Sequence, residues 1–282
     1  VTRFSSSQYA LILGASSGFG AAAARALAAH GMSVIGVHLD RAAGLADAER
    51  LRDEVAAHGV EALFFNVNAA DPDRRRDVLD AVAGHFAERP GARVHFLLHS
   101  LAFGALKPLI AAGERDALTQ AQVEMTMNVM ANSLVYWTQE VVRRGMMPGG
   151  GRIAALTSSG ARRVLPHYGA VSAAKAALES WCRQLAFELG PQGITVNALQ
   201  AGVTDTPALR KIPGSERLIA HALERNPLGR LTAPEDVARV LVTLCSEEGG
   251  WINGETLRID GGEDVVELDW TREPAQADVG NP

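Results

Sequence analysis

Residues 9–31 read YALILGASSGFGAAAARALAAHG, and the order of these segments decides the fold. Tyr9 to Leu13 form an apolar run of strand length, too short for a helix and closed off by glycine. Gly14, Gly18 and Gly20 then build a tight turn, because residues without a Cβ accept backbone angles and close approaches that others do not. An Ala-rich helical stretch follows and stops at Gly31, a common helix-ending residue. Strand, glycine turn and helix in that order open a β–α–β unit.

The alternation continues outward from this unit. SVIGVHLD is a second strand, followed by a helix from about Ala43 to His58. VEALFFNVN is a third strand, and the next helix opens at Asp71-Pro72, a helix-start signal. RVHFLLHS is a fourth strand, before a long helical pattern from Thr119 to Arg144 and the turn PGGG at 148–151. RIAALTSS, GITVNALQAG and ETLRIDGG complete the strands, with a helix ending at Gly190 between the first two. Such alternation implies right-handed crossovers and a mostly parallel sheet covered on both faces. The expected fold class is α/β: a single-domain, Rossmann-type doubly wound parallel sheet of about seven strands with helices on both faces. The domain spans 1–262, and a less regular stretch at about 203–230 interrupts it. Ligands of such sheets bind beyond the carboxyl ends of the strands, so this stretch is expected to cover a substrate. Residues 263–282 are polar and acidic, and read either as a disordered tail or as a segment docked on a neighbouring subunit.

Composition narrows the class. At 282 residues and 47% hydrophobic content, the chain can bury one sizeable core. A net charge of −5 without a basic face argues against nucleic acid. Two distant cysteines, Cys182 and Cys245, fit a reduced cytoplasmic setting better than a disulfide framework. No charged-then-apolar leader opens the sequence, and no apolar run reaches membrane-spanning length. No His/Cys/Asp cluster has metal-ligand spacing.

The turn Gly14-Ala15-Ser16-Ser17-Gly18-Phe19-Gly20 has G-x3-G-x-G spacing, not the commoner G-x-G-x-x-G. Alone it is weak; between a buried strand and an Ala-rich helix it is a strong signal for a dinucleotide pyrophosphate at a helix N-terminus. A second signal lies in HYGAVSAAKAALE, where Tyr168 stands seven positions before Lys175. Lys107, Lys175 and Lys211 are the three lysines among 27 lysines and arginines, and Tyr168 is one of three tyrosines. An ammonium is a compact donor that can bond a ribose and lower a neighbouring phenol's pKa, so the pair reads as an acid with a cationic helper. The competing reading is chance pairing on a packed helix.

The glycine turn, the Tyr/Lys pair, VNALQAG and ETLRIDGG together resemble the short-chain dehydrogenase/reductase family, colinearly from about Tyr9 to Gly262. That family's common active-site spacing is Y-x3-K, whereas this chain has Val171 at that slot and a Y-x6-K pair. The variant resembles the enoyl-acyl-carrier-protein reductases, as do LHSLAFG at 98–104, SAAKAALES and LQAG. TMNVMANS and DTPALRKIPG look nearest to the third, smaller-bodied bacterial type. The resemblance implies NAD(P)H-dependent reduction of a trans-2-enoyl thioester on acyl carrier protein or coenzyme A, by a homotetramer. It assigns Tyr168 to the developing oxyanion, Lys175 to the ribose, and Ser158 and Asn128 to supporting catalytic roles. Ser158 also reads as a strand-end turn cap, and Asn128 as ordinary helix packing. Serine, where many enoyl reductases carry a second tyrosine, keeps a carbonyl reductase open as the alternative.

For the cofactor, the resemblance implies the glycine turn, Asn68 and Ala69 beside the adenine, and Ser100 and Leu101 after the fourth strand. Ala201, Gly202 and Val203 would flank the nicotinamide, with Thr204 and Thr206 on its carboxamide and phosphate. Asp40 favours NADH by bonding ribose hydroxyls, while Arg41 would favour a 2′-phosphate; the balance leans to NADH. Ala102, Phe103 and Leu209 are expected at the substrate. His99 reads as structural, and His167 as a solvated neighbour of Tyr168.

Overall fold

The computed structural model describes residues 3–267. Seven strands form one parallel sheet in the order β3-β2-β1-β4-β5-β6-β7. They are β1 (Gln8–Leu13), β2 (Ser33–His38), β3 (Ala62–Asn66), β4 (Arg93–His99), β5 (Arg152–Ser158), β6 (Thr195–Ala201) and β7 (Thr256–Ile259). All pairs are parallel, and each expected strand is present. Strand β1 shows why both faces need cover. Tyr9, Leu11 and Leu13 enter one apolar cluster and Ala10 and Ile12 the other, so side chains alternating by two are buried on both sides.

On the first face pack α3 (Pro72–Ala87), α5 (Ser133–Arg143) and α6 (Gly169–Leu189), through Leu79, Leu134, Trp137 and Leu178. On the second pack α1 (Gly18–Ala29), α2 (Ala42–Ala56) and α8 (Pro234–Cys245), through Leu27, Leu51 and Leu241. The four consecutive alanines Ala21–Ala24 of α1 are all buried, which lets that helix lie close to the sheet. The strand order reverses between β1 and β4, where Leu13 pairs with His99. A ligand crevice at the carboxyl ends follows from that reversal.

Three features differ from the sequence reading. The long pattern from Thr119 to Arg144 is α4 (Gln120–Met127) and α5 joined by a π-helical turn, Asn128–Asn132. Such turns widen a helix by one residue, and the hydrophobic period of the sequence does not show them. The stretch at 203–230 contains a regular helix, α7 (Ser215–Arg225), behind the 3-10 turn Leu209–Lys211. The tail expected from residue 263 begins as a packed wall: Glu263 is buried, and Asp264 is bonded to Arg163 and Gln200. Residues 268–282 lie outside the described residues. No helix among the described residues is long and apolar enough to cross a membrane.

Candidate active site

The glycine turn sits at the mouth of the crevice. Gly14 has φ +88°, and a Cβ there would strike the Ser100 carbonyl; a Cβ on Gly20 would strike the Gly14 carbonyl. Gly14 and Ala15 N–H donate to Val37 O at 2.8 and 3.1 Å, which anchors the turn to β2. Ser17 is the N-cap of α1 but makes no side-chain cap bond, and the first turn holds no acidic residue. Two other helices are capped by side chains: Asp71 accepts from two N–H groups of α3, and Thr119 with Gln122 forms a capping box on α4. The α1 terminus therefore keeps its orphan N–H donors and positive dipole end for a ligand, which fits a dinucleotide pyrophosphate. Ser16 is half-buried in this turn, and Phe19 reaches the central cavity.

Two residues past β2, His38 Nδ1 bonds Asp40 Oδ2 at 2.8 Å. Asn66 holds the Asp40 backbone from both sides, at 2.9 and 3.0 Å. The carboxylate is thus fixed against the first turn of α2, where a Cβ on Gly44 would meet it, and Arg41 is exposed at the N-cap of that helix. Asn68 is exposed and accepts from Ala70 N–H, while Ala69 is buried and its carbonyl takes the Trp137 indole N–H. These residues lie outside the central cavity.

A cavity of about 440 Å³ lies at the carboxyl ends of β4, β5 and β6. Ser100, Leu101, Ala102 and Phe103 line it from β4, and Ala201, Gly202, Val203, Thr204 and Thr206 from β6; Leu209 belongs to the lid side. Tyr168 and Lys175 line it from α6 and Ser158 from β5, so one helix and one strand end bring the expected trio together. Burial pushes the Tyr168 phenol up, and a side-chain hydrogen bond with Ser158 pulls the other way. Ser158 Oγ accepts Gly160 N–H at 3.1 Å and so caps the turn, and a Cβ on Gly160 would meet both this oxygen and the Tyr168 ring. Lys175 Nζ donates to Leu156 O at 2.6 Å and Leu101 O at 3.4 Å. An ammonium has three donors, which leaves one for a ligand. Burial lowers the lysine pKa to about 8.

Other positions fall elsewhere. Asn128 starts the π-turn and donates to Ala70 O at 3.5 Å; it is not in the cavity wall, where Met130 of the same turn stands. His99 is fully buried, bonds Ser133 Oγ at 2.8 Å, and is held down to about 3 by burial, so it is a neutral part of the frame. His167 has φ +61°, an unusual conformation for a non-glycine residue, immediately before Tyr168. Sequence reasoning missed Glu263, whose Oε2 accepts Val203 N–H at 2.9 Å at the cavity wall. It also missed Arg163 and Arg225, which tie that wall to the β5–α6 loop and to α7. The acidic run after GGE and the arginines were visible, but their pairing across more than thirty-five positions was not.

A parallel sheet reversing at β1/β4, an open helix terminus behind a glycine turn, and a tyrosine and lysine in one cavity define a nicotinamide-dependent oxidoreductase. The family model described as Enoyl-(Acyl carrier protein) reductase matches residues 14–263, and the chain belongs to that family, within the short-chain dehydrogenases/reductases. It is 31% identical over 261 residues to a 1-cyclohexenylcarbonyl-CoA reductase of Streptomyces collinus, covering 92% of this chain and 88% of the relative. It is also 31% identical to an NADPH-dependent aldehyde reductase-like protein of Arabidopsis thaliana, covering 90% and 93%. Among solved structures, the NADH-dependent enoyl-[acyl-carrier-protein] reductase of Aquifex aeolicus VF5 superposes with a TM-score of 0.78 at 27% identity, covering 93% and 98%. The chain is a reductase with a nicotinamide cofactor.

Proposed function

We propose that this reductase acts on the C=C bond of a trans-2-enoyl thioester, carried on acyl carrier protein or coenzyme A. The observation that carries the reading is the head of α6. The position four before Lys175 is Val171, which lines the cavity but carries no proton donor, while Tyr168, one turn earlier, lines it with a phenol. A bound NAD(P)H supplies hydride, which in enoyl reduction goes to the β-carbon while charge develops on the thioester oxygen, a conjugated system away. Tyr168 then has the reach to donate to that oxygen, and its burial makes the donated bond strong. Ser158 orients the phenol, and the remaining Lys175 donor serves the ribose. Leu106, Leu165, Ile212 and neighbouring apolar side chains of the cavity wall exclude water from the reacting carbons.

The fixed Asp40 carboxylate supports NADH over NADPH, because it would bond ribose hydroxyls and repel a 2′-phosphate. A homotetramer is part of the proposal, supported by Tyr136 on α5 and Trp181 on α6, which are partly exposed; light scattering of the purified protein checks it.

The second reading, a carbonyl reductase on a 3-ketoacyl thioester, is favoured by Ser158, which lines the cavity with Tyr168 and flanks Gly160 beside the tyrosine ring. Loss of nicotinamide absorbance, followed in parallel with enoyl and 3-ketoacyl thioesters and with NADH and NADPH, separates the two. Oxidation with the enoyl substrate alone supports the first reading, and oxidation with the keto substrate alone overturns it.

A further inference from the structure

We propose that Glu179 is a positioning residue for the active-site lysine: its buried carboxylate is the counter-charge that keeps Lys175 protonated in the cavity wall. The inference rests on the reading of Lys175 as a working cation in a nicotinamide-dependent reductase.

The geometry begins at the end of β5, where two successive residues each meet a different group of α6. Leu156 O accepts from Lys175 Nζ at 2.6 Å, and Thr157 Oγ1 donates to Glu179 Oε1 at 2.8 Å. Lys175 and Glu179 are four positions apart on α6, hence on one helical face, and they are 5% and 8% exposed. Glu179 does not line the cavity, so it acts through the lysine rather than on substrate.

Charge accounting singles out Glu179. Both hydrogen bonds of the Lys175 ammonium go to neutral carbonyls, which do not offset the loss of hydration. Burial draws the lysine down to about 8, and Cys182 and Glu179 oppose the fall. Burial pushes the Cys182 thiol up to about 12, so at neutral pH it carries no charge. From β4, His99 faces the lysine and is held down to about 3, again neutral. At the head of α6, Tyr168 is pushed up by burial and is a neutral phenol. β5 and the segment after β4 present backbone carbonyls to the ammonium. Glu179 is the acidic side chain of this seam, and the Thr157 hydroxyl donates to its Oε1.

With three lysines in the chain, isotope-labelled lysine gives three side-chain NMR signals, and Lys175→Arg identifies the one wanted. The apo protein is titrated as wild type and as Glu179→Gln, which keeps an acceptor for Thr157 and removes the charge. The expected result is a downward move of the Lys175 midpoint by about one pH unit, with Lys107 and Lys211 unmoved and Glu179→Asp restoring the wild-type midpoint. The alkaline limb of NADH affinity, followed by fluorescence, shifts down with it. A Lys175 midpoint that is the same in Glu179→Gln and wild type overturns the proposal. If that variant does not fold, the smaller Glu179→Ala is read by the same criterion. The titration uses no substrate, so its failure is distinct from failure of the enoyl reading, which appears only in the thioester assay.

Discussion

Tyr168 keeps its place because the residue opposite has no side chain. A Cβ on Gly160 would lie 2.6 Å from Tyr168 Cε1, inside the ring's van der Waals boundary. Gly160→Ala is therefore expected to displace the phenol and lower turnover, whereas Gly84→Ala, which meets nothing within 4 Å, leaves it unchanged; steady-state kinetics on both variants checks the contrast. Tyr168→Phe keeps the ring and removes the donor. It should reduce kcat by about 10²-fold or more while dinucleotide affinity, followed by fluorescence titration, stays near wild type. Undiminished turnover would remove Tyr168 from the mechanism. At this scale, Tyr168, Lys175 and the glycines were legible because the chemistry needs scarce residue types at fixed spacing. Gly160 and Glu263 were not, since their roles are contacts across the fold: the glycine against a ring, the carboxylate against the Val203 amide sixty positions away.

In helix α1 the proposed function and local stability can be set against each other within one element. Its N-terminus lacks both a cap bond and an acidic first-turn residue, although Ser17 occupies the N-cap. Ser17→Asp should cap the helix and interact favourably with its dipole, which raises stability by about 0.5–1 kcal/mol. The same charge would repel a pyrophosphate a few ångströms away and weaken dinucleotide binding by about tenfold or more. Thermal unfolding and NADH titration of the one variant test both signs. A variant that gains stability and keeps full affinity would show that the α1 terminus is not the pyrophosphate site. Elements with a clear apolar period and a start or stop residue were readable from sequence: α3 opens on Asp71-Pro72, and α6 ends at Gly190. The π-turn Asn128–Asn132 was not, because one extra residue per turn leaves the apolar pattern almost intact while moving Met130 into the cavity wall and Asn128 out of it. Helix α7 was hidden by the glycine and proline that precede it at Pro213 and Gly214.

Over the whole molecule, chemistry and stability occupy opposite ends of the sheet. The cavity lies beyond the carboxyl ends of the strands, and a polar cluster closes the amino ends. There Tyr9 of β1 donates to Glu61 at 2.5 Å, His85 of α3 bonds the same carboxylate, and Arg89 donates to its other oxygen at 2.8 Å. The parallel sheet was predictable from alternation, but this cluster was not, because it joins residues that meet only when β1, β3 and the end of α3 converge. Partial burial pushes the Glu61 carboxyl up, but hydrogen bonds from Tyr9, Arg89 and His85 outweigh it and hold it at about 2, below the ordinary 4.5. A carboxylate depressed in the folded state binds fewer protons there than in the unfolded chain, so it adds stability above pH 4.5 that is lost as pH falls towards 2. Glu61→Gln should thus lower stability at neutral pH by about 1 kcal/mol once solvent screening is allowed for. Its deficit against wild type should shrink through that acid window. Denaturant unfolding at a series of pH values reads the difference, and a constant deficit down to pH 2 would mean that packing, not charge, is what the substitution removed. Turnover of Glu61→Gln at neutral pH should equal wild type, since the sheet's full length separates the cluster from Tyr168.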